Sequence, residues 1–185
     1  MLSVLISINP GWCRLIESGK KKIEVRKTRP KCGDIFKVYI YETKTSGYIP
    51  QFLDTSKYNV STGRGAVIGE FFCNRVVPIK VEYSNPKSPI ADALFPFTEM
   101  TDREIISYLG NGKTGYGWNI TGLKIYDCPK DIREFRKPCI KHKGDCGLCK
   151  AHDPWSDTCM KQLLSPPQSW CYVEDLEQEC AYDEF

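Results

Sequence analysis

The sequence predicts an α+β fold in which a small mixed β-barrel of about five or six strands carries short helices at its rim. Three observations lead to this prediction. Short apolar runs with an alternating pattern recur through residues 1–137, few segments there have helical spacing, and Gly and Pro separate the runs. Residues 138–185 are rich in Cys and poor in aliphatic side chains, which indicates a loop-rich C-terminal extension packed on the body.

Residues 2–30 predict a strand, a short helix and a second strand. The apolar run 2–8 ends at Asn9-Pro10-Gly11, and the apolar residues that follow have the i, i+3, i+4 spacing of a helix. A strand is predicted at 23–26, where apolar and charged residues alternate. If the apolar pair faces the core, we expect the charged pair to share one surface with the cations around it. These charged residues are Lys21, Glu24, Arg26, Lys27 and Arg29.

This charged surface has two interpretations. Dense charge beside Trp12 is typical of a site for an anionic or polar ligand. The same pattern is typical of a solvated edge strand, where charged side chains oppose aggregation. The residues alone leave both interpretations open.

The rest of the body predicts more strands and one more helix. Residues 35–42 are apolar on both faces and indicate a central strand, and residues 65–77 indicate one strand or two strands joined by a bend. The polar stretch 43–64 and the Pro-rich stretch 78–96 are predicted to be irregular. Thr101 and Glu104 form a capping-box pattern for a helix within residues 98–109. Finally, Thr121-Gly122 predicts the turn of a hairpin made by residues 118–120 and 123–126.

Glu70 stands in the middle of the apolar run 65–77. A carboxylate needs a partner if it is buried, and Lys21 or Arg26 would serve as that partner. The alternative is that Glu70 faces outward from an edge strand.

The charge is distributed unevenly along the 185 residues. Residues 1–137 hold 22 Lys and Arg against 14 Asp and Glu, a net charge of +8, whereas residues 138–185 hold 4 against 9, a net charge of −5. A basic body with an acidic tail favours a nucleic-acid or nucleotide partner for the body, although the tail could also shield it. No apolar run is long enough to cross a bilayer, and the run 2–8 is too short for a signal peptide. We therefore expect a cytoplasmic protein without a membrane partner.

Four segments, in this order, resemble ASCH domains, a branch of the PUA-like superfamily, and in particular ASCH proteins of bacterial or prophage type. They are residues 9–34, with N-P, S-G-K-K-K-I-E-V-R, R-P and G-D, then residues 38–42, 66–71 and 115–126. The resemblance covers roughly residues 1–137. It implies a PUA-like barrel whose final strand, at Tyr116 to Trp118, closes beside the first strand. It also implies that Glu42, at a strand end, lies near the mouth of the site.

The first hypothesis for function is binding of RNA or a modified nucleotide in a basic cleft. PUA-like domains are associated with RNA, and their cleft tends to receive a base or nucleotide. Trp12 and Tyr116 would stack on bases, and Glu24, Glu70 or Asn9 would hydrogen-bond a base edge. The cations for phosphate contacts would be Lys20, Lys21, Lys22, Arg26, Lys27 and Arg29. Trp118 is expected to be a core residue.

The second hypothesis is a hydrolase acting on a modified nucleoside or on RNA. Some ASCH proteins resemble amidohydrolases for acylated cytidine that use a Lys, a Thr three residues later and a distant Glu. Lys21 and Glu70 match that pattern, but Glu24 stands at the Thr position and removes the hydroxyl nucleophile. A variant enzyme would use Glu24 as general base on water and Lys21 to polarise a carbonyl. Lys21, placed between two carboxylates, is expected to keep its charge.

The C-terminal extension predicts a structural zinc site. Six of the ten cysteines lie in residues 139–185, and thiolate and imidazole are the ligands that zinc prefers. A bound metal would stabilise a segment that has too few aliphatic residues for its own core. The predicted ligands are Cys139, Cys146, Cys149 and Cys159, with His142 and His152 as alternatives. Free thiols and a disulfide in the C-x2-C pair are the competing interpretations.

Two further expectations concern the extension. Trp170, Tyr172 and Val173 follow Pro166-Pro167 and are predicted to dock the tail on the body, the alternative being that an aromatic ring extends the ligand surface. The third hypothesis for function is a protein-binding adaptor that acts through the Cys-rich tail.

Overall fold

The computed structural model describes residues 2–44, 49–50, 52–54, 56–57, 62–80, 96–138, 152–153, 158–159 and 161–176, the two short pairs 152–153 and 158–159 by their backbone alone. The strands are β1 (Leu2–Ile8), β2 (Ile23–Arg26), β3 (Phe36–Glu42), β4 (Ala66–Cys73), β5 (Val76–Lys80), β6 (Thr114–Asn119), β7 (Thr121–Lys130), β8 (His152–Asp153), β9 (Thr158–Cys159) and β10 (Trp170–Glu174). The helices are α1 (Pro10–Glu17), α2 (Asp102–Leu109) and a 3-10 helix at Ile132–Glu134. Within the described residues, no helix is long and apolar enough to cross a membrane.

The first sheet has five strands in the order β10-β1-β3-β4-β7. β1 and β3 are parallel, and the other neighbours are antiparallel. All seven residues of β3 are buried, which confirms the prediction that this apolar run is a central strand. The run 65–77 divides into β4 and β5, joined at Asn74-Arg75, as the bend in the sequence pattern indicated.

The second sheet has the order β2-β6-β5 and is antiparallel throughout. The mixed α+β class is confirmed, but the closed form is not: in the described part of the chain, eight strands form two sheets and no closed barrel. The chain passes between the two sheets four times, and two of these passages are very short, at Asn74-Arg75 from β4 to β5 and at Ile120 from β6 to β7. Because each of these two short passages spans only one or two residues, the sequence pattern did not indicate that the strands on either side belong to different sheets. The predicted strand count and the predicted closure were therefore wrong.

The predicted hairpin at Thr121-Gly122 is also wrong. Both residues belong to β7, which pairs with β4, whereas β6 pairs with β2 and β5. The strand that contains Trp118 therefore does not lie beside β1. β10 occupies that edge of β1, and residues 78–80, the start of the stretch predicted to be irregular, belong to β5.

Two apolar clusters cover the two faces of the first sheet. One lies between the sheets, where Ile6, Val38 and Ile68 of the first sheet meet Trp118 of the second. Trp118 is completely buried, with Phe36 and Trp170 edge-on to its ring at 5.5 and 5.9 Å, as expected for a core residue. The opposite face of the first sheet packs against residues that follow β7 in sequence. That second cluster includes Leu5, Tyr39, Val67, Ile132, Phe135, Leu163 and Val173.

Both predicted helices are present with their caps. Asn9 caps α1 by accepting a 3.1 Å hydrogen bond from the Gly11 amide. The capping box of α2 is complete, since Thr101 accepts from the Glu104 amide and Glu104 accepts from the Thr101 amide. Ile105 and Leu109 bury one side of α2 against Val25 and Ile79 of the second sheet. The other side of α2 is thereby directed toward the end of β1.

The predicted docking of the tail is confirmed and takes the form of a strand. β10 extends the first sheet, with Trp170 opposite Ile6 and Val173 opposite Ser3. The Trp170 indole donates to Thr28 Oγ1 at 2.9 Å, and the Lys31 amide donates to the Tyr172 hydroxyl at 2.6 Å.

Candidate functional site

A cleft opens where β1 ends, between the second sheet and the two helices. It has an inner chamber of about 200 Å³ and an outer chamber of about 540 Å³. The inner chamber is lined by Ser7, Ile8, Asn9, Trp12, Lys21, Glu24, Val25, Arg26, Met100 and Tyr108. Four of these residues, Asn9, Trp12, Met100 and Tyr108, also line the outer chamber, so the two chambers adjoin.

Three charged side chains, two from β2 and one from Lys21 just before it, form one wall of the inner chamber. Glu24 accepts from both sides: its Oε1 lies 2.9 Å from an Arg26 guanidinium nitrogen and its Oε2 lies 3.5 Å from Lys21 Nζ. Glu24, Arg26 and Lys21 are 6%, 6% and 2% exposed, respectively. The cluster carries one net positive charge and is almost removed from solvent, which makes its electrostatic interactions stronger than they would be at the surface.

The burial of this cluster corrects the prediction of a charged outer surface on β2. Val25 does face the core as predicted, but it packs against α2 on the far side of the second sheet. Glu24 pairs across the ladder with Trp118, and Arg26 pairs with Tyr116, so the charged pair lies on the face that carries the Trp118 ring. β2 is thus buried on both faces, and neither of the two sequence interpretations anticipated this.

Lys21 is held by three groups. Besides Glu24, its ammonium donates to the Thr98 carbonyl at 2.6 Å and lies 4.7 Å from the centre of the Trp12 ring. Burial lowers the pKa of Lys21, and the nearby Arg26 charge lowers it further, while Glu24 opposes the shift. Glu24 thus favours the charged form of Lys21, as expected, whereas burial opposes it.

Arg26 connects the cleft to two other parts of the chain. Its guanidinium donates to the Ser7 carbonyl at 2.7 Å and to Ser169 Oγ at 3.5 Å. Ser7 itself donates through its hydroxyl to the Pro167 carbonyl at 2.6 Å. The segment that leads into β10 therefore braces the inner chamber.

Two aromatic rings stand on opposite sides of the opening. Trp12 comes from α1 and was predicted as a site residue, whereas Tyr108 comes from α2 and was not. Lys27 Nζ lies 5.2 Å from the centre of the Tyr108 ring. Burial raises the pKa of Tyr108, although the Arg26 charge opposes that shift. Met100 also went unnoticed, because nothing in the sequence indicates that residues 98–100 pass over Lys21.

The cations predicted to contact phosphates lie near the two ends of β2, and Lys27 lies beside the ring of Tyr108, which lines the cleft. Lys20, Lys22, Lys27 and Arg29 are exposed, as the first hypothesis requires. The Arg29 guanidinium lies 5.8 Å from the centre of the Tyr116 ring, which is half-buried rather than the exposed stacking platform that we expected. Tyr108 lines the cleft, whereas Tyr116 is not among its lining residues.

Glu70 lies apart from the cleft, which corrects both its predicted partner and its grouping with Lys21 and Glu24. It pairs across the ladder with Tyr39, on the face of the first sheet opposite to the inter-sheet core. Its carboxylate accepts from the Tyr126 hydroxyl at 2.6 Å and lies 3.8 Å from Lys37 Nζ. Lys37 in turn lies 3.1 Å from Asp175, and the Tyr39 hydroxyl also donates to Asp175.

Glu42 belongs to a separate ion cluster behind α1. It is fully buried, 3.0 Å from an Arg14 nitrogen and 3.4 Å from Arg64 Nε. Glu17 binds the same two arginines at 2.7 and 2.6 Å. This network ties α1, which carries Trp12, to the end of β3, so Glu42 supports the cleft without lining it.

The predicted zinc ligands fall largely outside the described residues. Cys139, His142, Cys146 and Cys149 lie there, and His152 and Cys159 are described by their backbone alone. In that backbone, His152 of β8 pairs directly with Cys159 of β9. Among the described residues, no group of three or more metal-ligating side chains occurs.

Comparisons with known proteins identify the fold. Neither a family model nor a curated protein matches the sequence. Among solved structures, the ASCH protein of Zymomonas mobilis is similar at 14% identity and a TM-score of 0.55, over 93% of this chain and 87% of that one. A Ser-to-Ala variant of the same protein gives 14% identity and a TM-score of 0.57, over 93% and 88% of the two chains. A Tyr-to-Phe variant gives 15% and 0.50, over 70% and 76%.

The chain therefore has the fold of ASCH domain proteins, as the four sequence segments predicted. The likeness extends beyond residue 137, because 93% of this chain is covered. At this level of identity it establishes the architecture and leaves the activity to be argued from the cleft.

Proposed function

We propose that this protein binds RNA or a modified nucleotide, with one base held in the inner chamber and the phosphates on the surrounding cations. The observation that carries this proposal is the Glu24 carboxylate, fixed between Lys21 and Arg26 in a cleft flanked by Trp12 and Tyr108. A buried carboxylate between two cationic donors offers both hydrogen-bond acceptors and donors within one small chamber.

That combination suits the edge of a base. Glu24 can accept from an exocyclic amino group or a ring N–H, while Lys21 and Arg26 can donate to a carbonyl or a ring nitrogen. Trp12 and Tyr108 can stack on the base, and aromatic stacking is worth about 1–3 kcal/mol per base in single-strand binding. These groups are held in place before a ligand arrives, which limits the entropy lost on binding.

The charge around the opening supports a phosphate-bearing ligand. Lys20, Lys22 and Lys27 are exposed near the ends of β2, the strand whose Glu24 and Arg26 line the inner chamber, and the first 137 residues carry a net charge of +8. Phosphate contacts from such cations supply affinity without sequence preference, whereas the buried cluster would supply the preference for a base. The ASCH-like fold is consistent with this proposal, since the PUA-like superfamily that the sequence resembles is associated with RNA.

A second candidate function is hydrolysis of a modified nucleoside or of RNA, and the lowered pKa of Lys21 favours it. A lysine whose pKa is lowered by burial, 3.5 Å from a carboxylate in a cleft, is typical of a reactive site. Glu24 would act as general base on water and Lys21 would polarise the scissile carbonyl or phosphoryl group. Glu70 takes no part in this version, because it binds Lys37 and Tyr126 elsewhere.

The experiment that separates the two functions is a mass-spectrometric screen. Free and modified nucleosides, nucleotides and short RNAs are incubated with the protein and with Glu24→Gln, and both retained ligands and new products are identified. Ligand retention without a product, weakened in Glu24→Gln, is the result that we expect for a binding protein. A product that forms only with the unsubstituted protein would establish the hydrolase instead. If nothing is retained or changed, the cleft assignment is wrong and the adaptor hypothesis takes its place.

A further inference from the structure

We infer that the outer chamber is a second nucleotide subsite, so that the preferred ligand is an oligonucleotide of at least two residues rather than a nucleoside or mononucleotide. This inference rests on the proposed function and specifies its ligand class. It comes from the size, the walls and the charge of a chamber that the recognition of a single base leaves unused.

The two chambers differ in volume. The inner chamber, at about 200 Å³, is smaller than the roughly 300–1,000 Å³ typical of pockets that enclose a drug-sized molecule, whereas the outer chamber, at about 540 Å³, falls inside that range. Because Trp12, Met100 and Tyr108 line both chambers, a ligand that fills the inner one continues directly into the outer one. A single base would leave the larger chamber filled with water against these apolar walls.

The walls of the outer chamber suit a second base and its phosphate. Trp12, Met100 and Tyr108 provide aromatic and thioether surface for stacking. Arg103, an exposed residue in the first turn of α2, provides a guanidinium that can bind a phosphate with two parallel hydrogen bonds. Lys27, over the Tyr108 ring at 5.2 Å, adds a second cation at the same wall.

The acidic residue of this chamber, Glu104, offsets one of the two cations and leaves a net charge of +1 from Arg103, Lys27 and Glu104. Glu104 is directed into the helix cap, where its carboxylate accepts from the Thr101 amide at 2.6 Å and from the Thr101 hydroxyl at 2.9 Å. The outer chamber therefore presents cations on its solvent side and a hydrogen-bonded carboxylate along α2. The sugar-phosphate link between two nucleotides fits that arrangement.

The test compares ligands that differ by one nucleotide. Dissociation constants are measured by calorimetry at low salt for the four ribonucleoside 5′-monophosphates and for the sixteen ribodinucleotides. Arg103→Ala is the test variant, Ser107→Glu adds a repelling charge to the outer chamber alone, and Lys124→Ala is the control, since Lys124 is an exposed cation of β7 outside the cleft.

We expect the best dinucleotide to bind about tenfold or more tightly than the best mononucleotide, as one charge-assisted hydrogen-bonded contact would supply. Arg103→Ala and Ser107→Glu should remove most of that gain while leaving mononucleotide affinity unchanged, and Lys124→Ala should change neither. Equal affinity for both ligand lengths, or equal losses for both in Arg103→Ala, would overturn the second subsite while the proposed function stands. If neither ligand binds, the proposed function fails and the second subsite fails with it.

Discussion

The carboxylate of Glu24 and the guanidinium of Arg26 lie 2.9 Å apart on the face of β2 that is turned toward the Trp118 ring. This places an ion pair at the edge of the apolar core between two sheets, where desolvation of each charge costs several kcal/mol. Lys21 completes the cluster from outside the strand. Unlike the buried cluster of Glu42, this cluster lines a cleft, and we propose that it recognises a polar ligand there.

The first prediction concerns the stability of this cluster. Glu24→Ala leaves Lys21 and Arg26 as two buried cations without their shared carboxylate, and removing one partner of such a buried pair costs about 3–5 kcal/mol of unfolding free energy. Urea unfolding followed by circular dichroism measures it. Asp54→Ala, which breaks the exposed pair with Lys57, is the control and should lose far less. Equal losses in the two variants would mean that the Glu24 cluster is solvated.

The second prediction concerns pH. The pKa of Lys21 is lowered by burial from its usual 10.5, so at pH values between the lowered pKa and 10.5 the unfolded chain binds more protons than the folded chain. Stability therefore rises with pH across that window, and the cost of a charged Lys21 is fully present below it. Unfolding free energies are measured at a series of pH values for the protein and for Lys21→Met. The value for the protein minus the value for Lys21→Met should increase as the pH rises toward 10.5. A difference that is flat or that falls with pH would contradict the lowered pKa.

The third prediction concerns the surrounding cations. Lys20→Ala/Lys27→Ala should weaken single-stranded RNA binding at low salt, and the slope of log K against log salt should become shallower by about 0.7 for each phosphate that the variant no longer neutralises. The matched control is Lys124→Ala/Lys137→Ala, which removes two exposed cations. Lys124 pairs across the ladder with Glu70, on the face of the first sheet that is turned away from the second sheet. Fluorescence anisotropy over a salt series measures both variants. The same change of slope in the control would reduce the binding to a general effect of net charge.

The fourth prediction concerns the tail. We propose that Cys139, Cys146, Cys149 and Cys159, or His142 or His152 in place of one of them, bind about one zinc ion per chain in a closed structural site. Metal analysis of protein purified without added metal should find it, and Cys146→Ser/Cys149→Ser should lose it. Cys128→Ser, at an exposed thiol of β7, is the control. If the purified protein contains no metal, or if the double variant retains the metal, the zinc proposal is wrong.

The local elements could be predicted because they depend on patterns within a few residues. The capping box of Thr101 and Glu104, the helix after Asn9 and the buried run of β3 are all present as the sequence indicated. Strand partners could not be predicted in the same way, since pairing joins distant residues. β10 beside β1 and β6 beside β2 are examples, and both changed the architecture from a closed barrel to two sheets.

The site was predicted in part for the same reason. Trp12, Lys21, Glu24 and Arg26 come together because they follow one another over a short stretch of chain. Tyr108 could have been suspected from its position at the border of the apolar face of α2, beside the buried Leu109.

Glu70 shows the limit of sequence spacing. Its place inside an apolar run indicated that it would need a partner, but the sequence did not say which face of the sheet it occupies. Opposite Tyr39, it finds Lys37 as its partner rather than Lys21.

The most direct measurement of the central claim uses the indole N–H signals of the four tryptophans. In ¹H–¹⁵N NMR spectra, the Trp12 indole signal is assigned from Trp12→Phe, and the protein is titrated with short single-stranded RNAs. We expect the Trp12 signal to shift with a saturating dependence on RNA, while the signal of the buried Trp118 changes little, and we expect Glu24→Gln to weaken the titration. RNA that binds without moving the Trp12 signal, or that leaves every signal unchanged, would contradict a ligand site in this cleft.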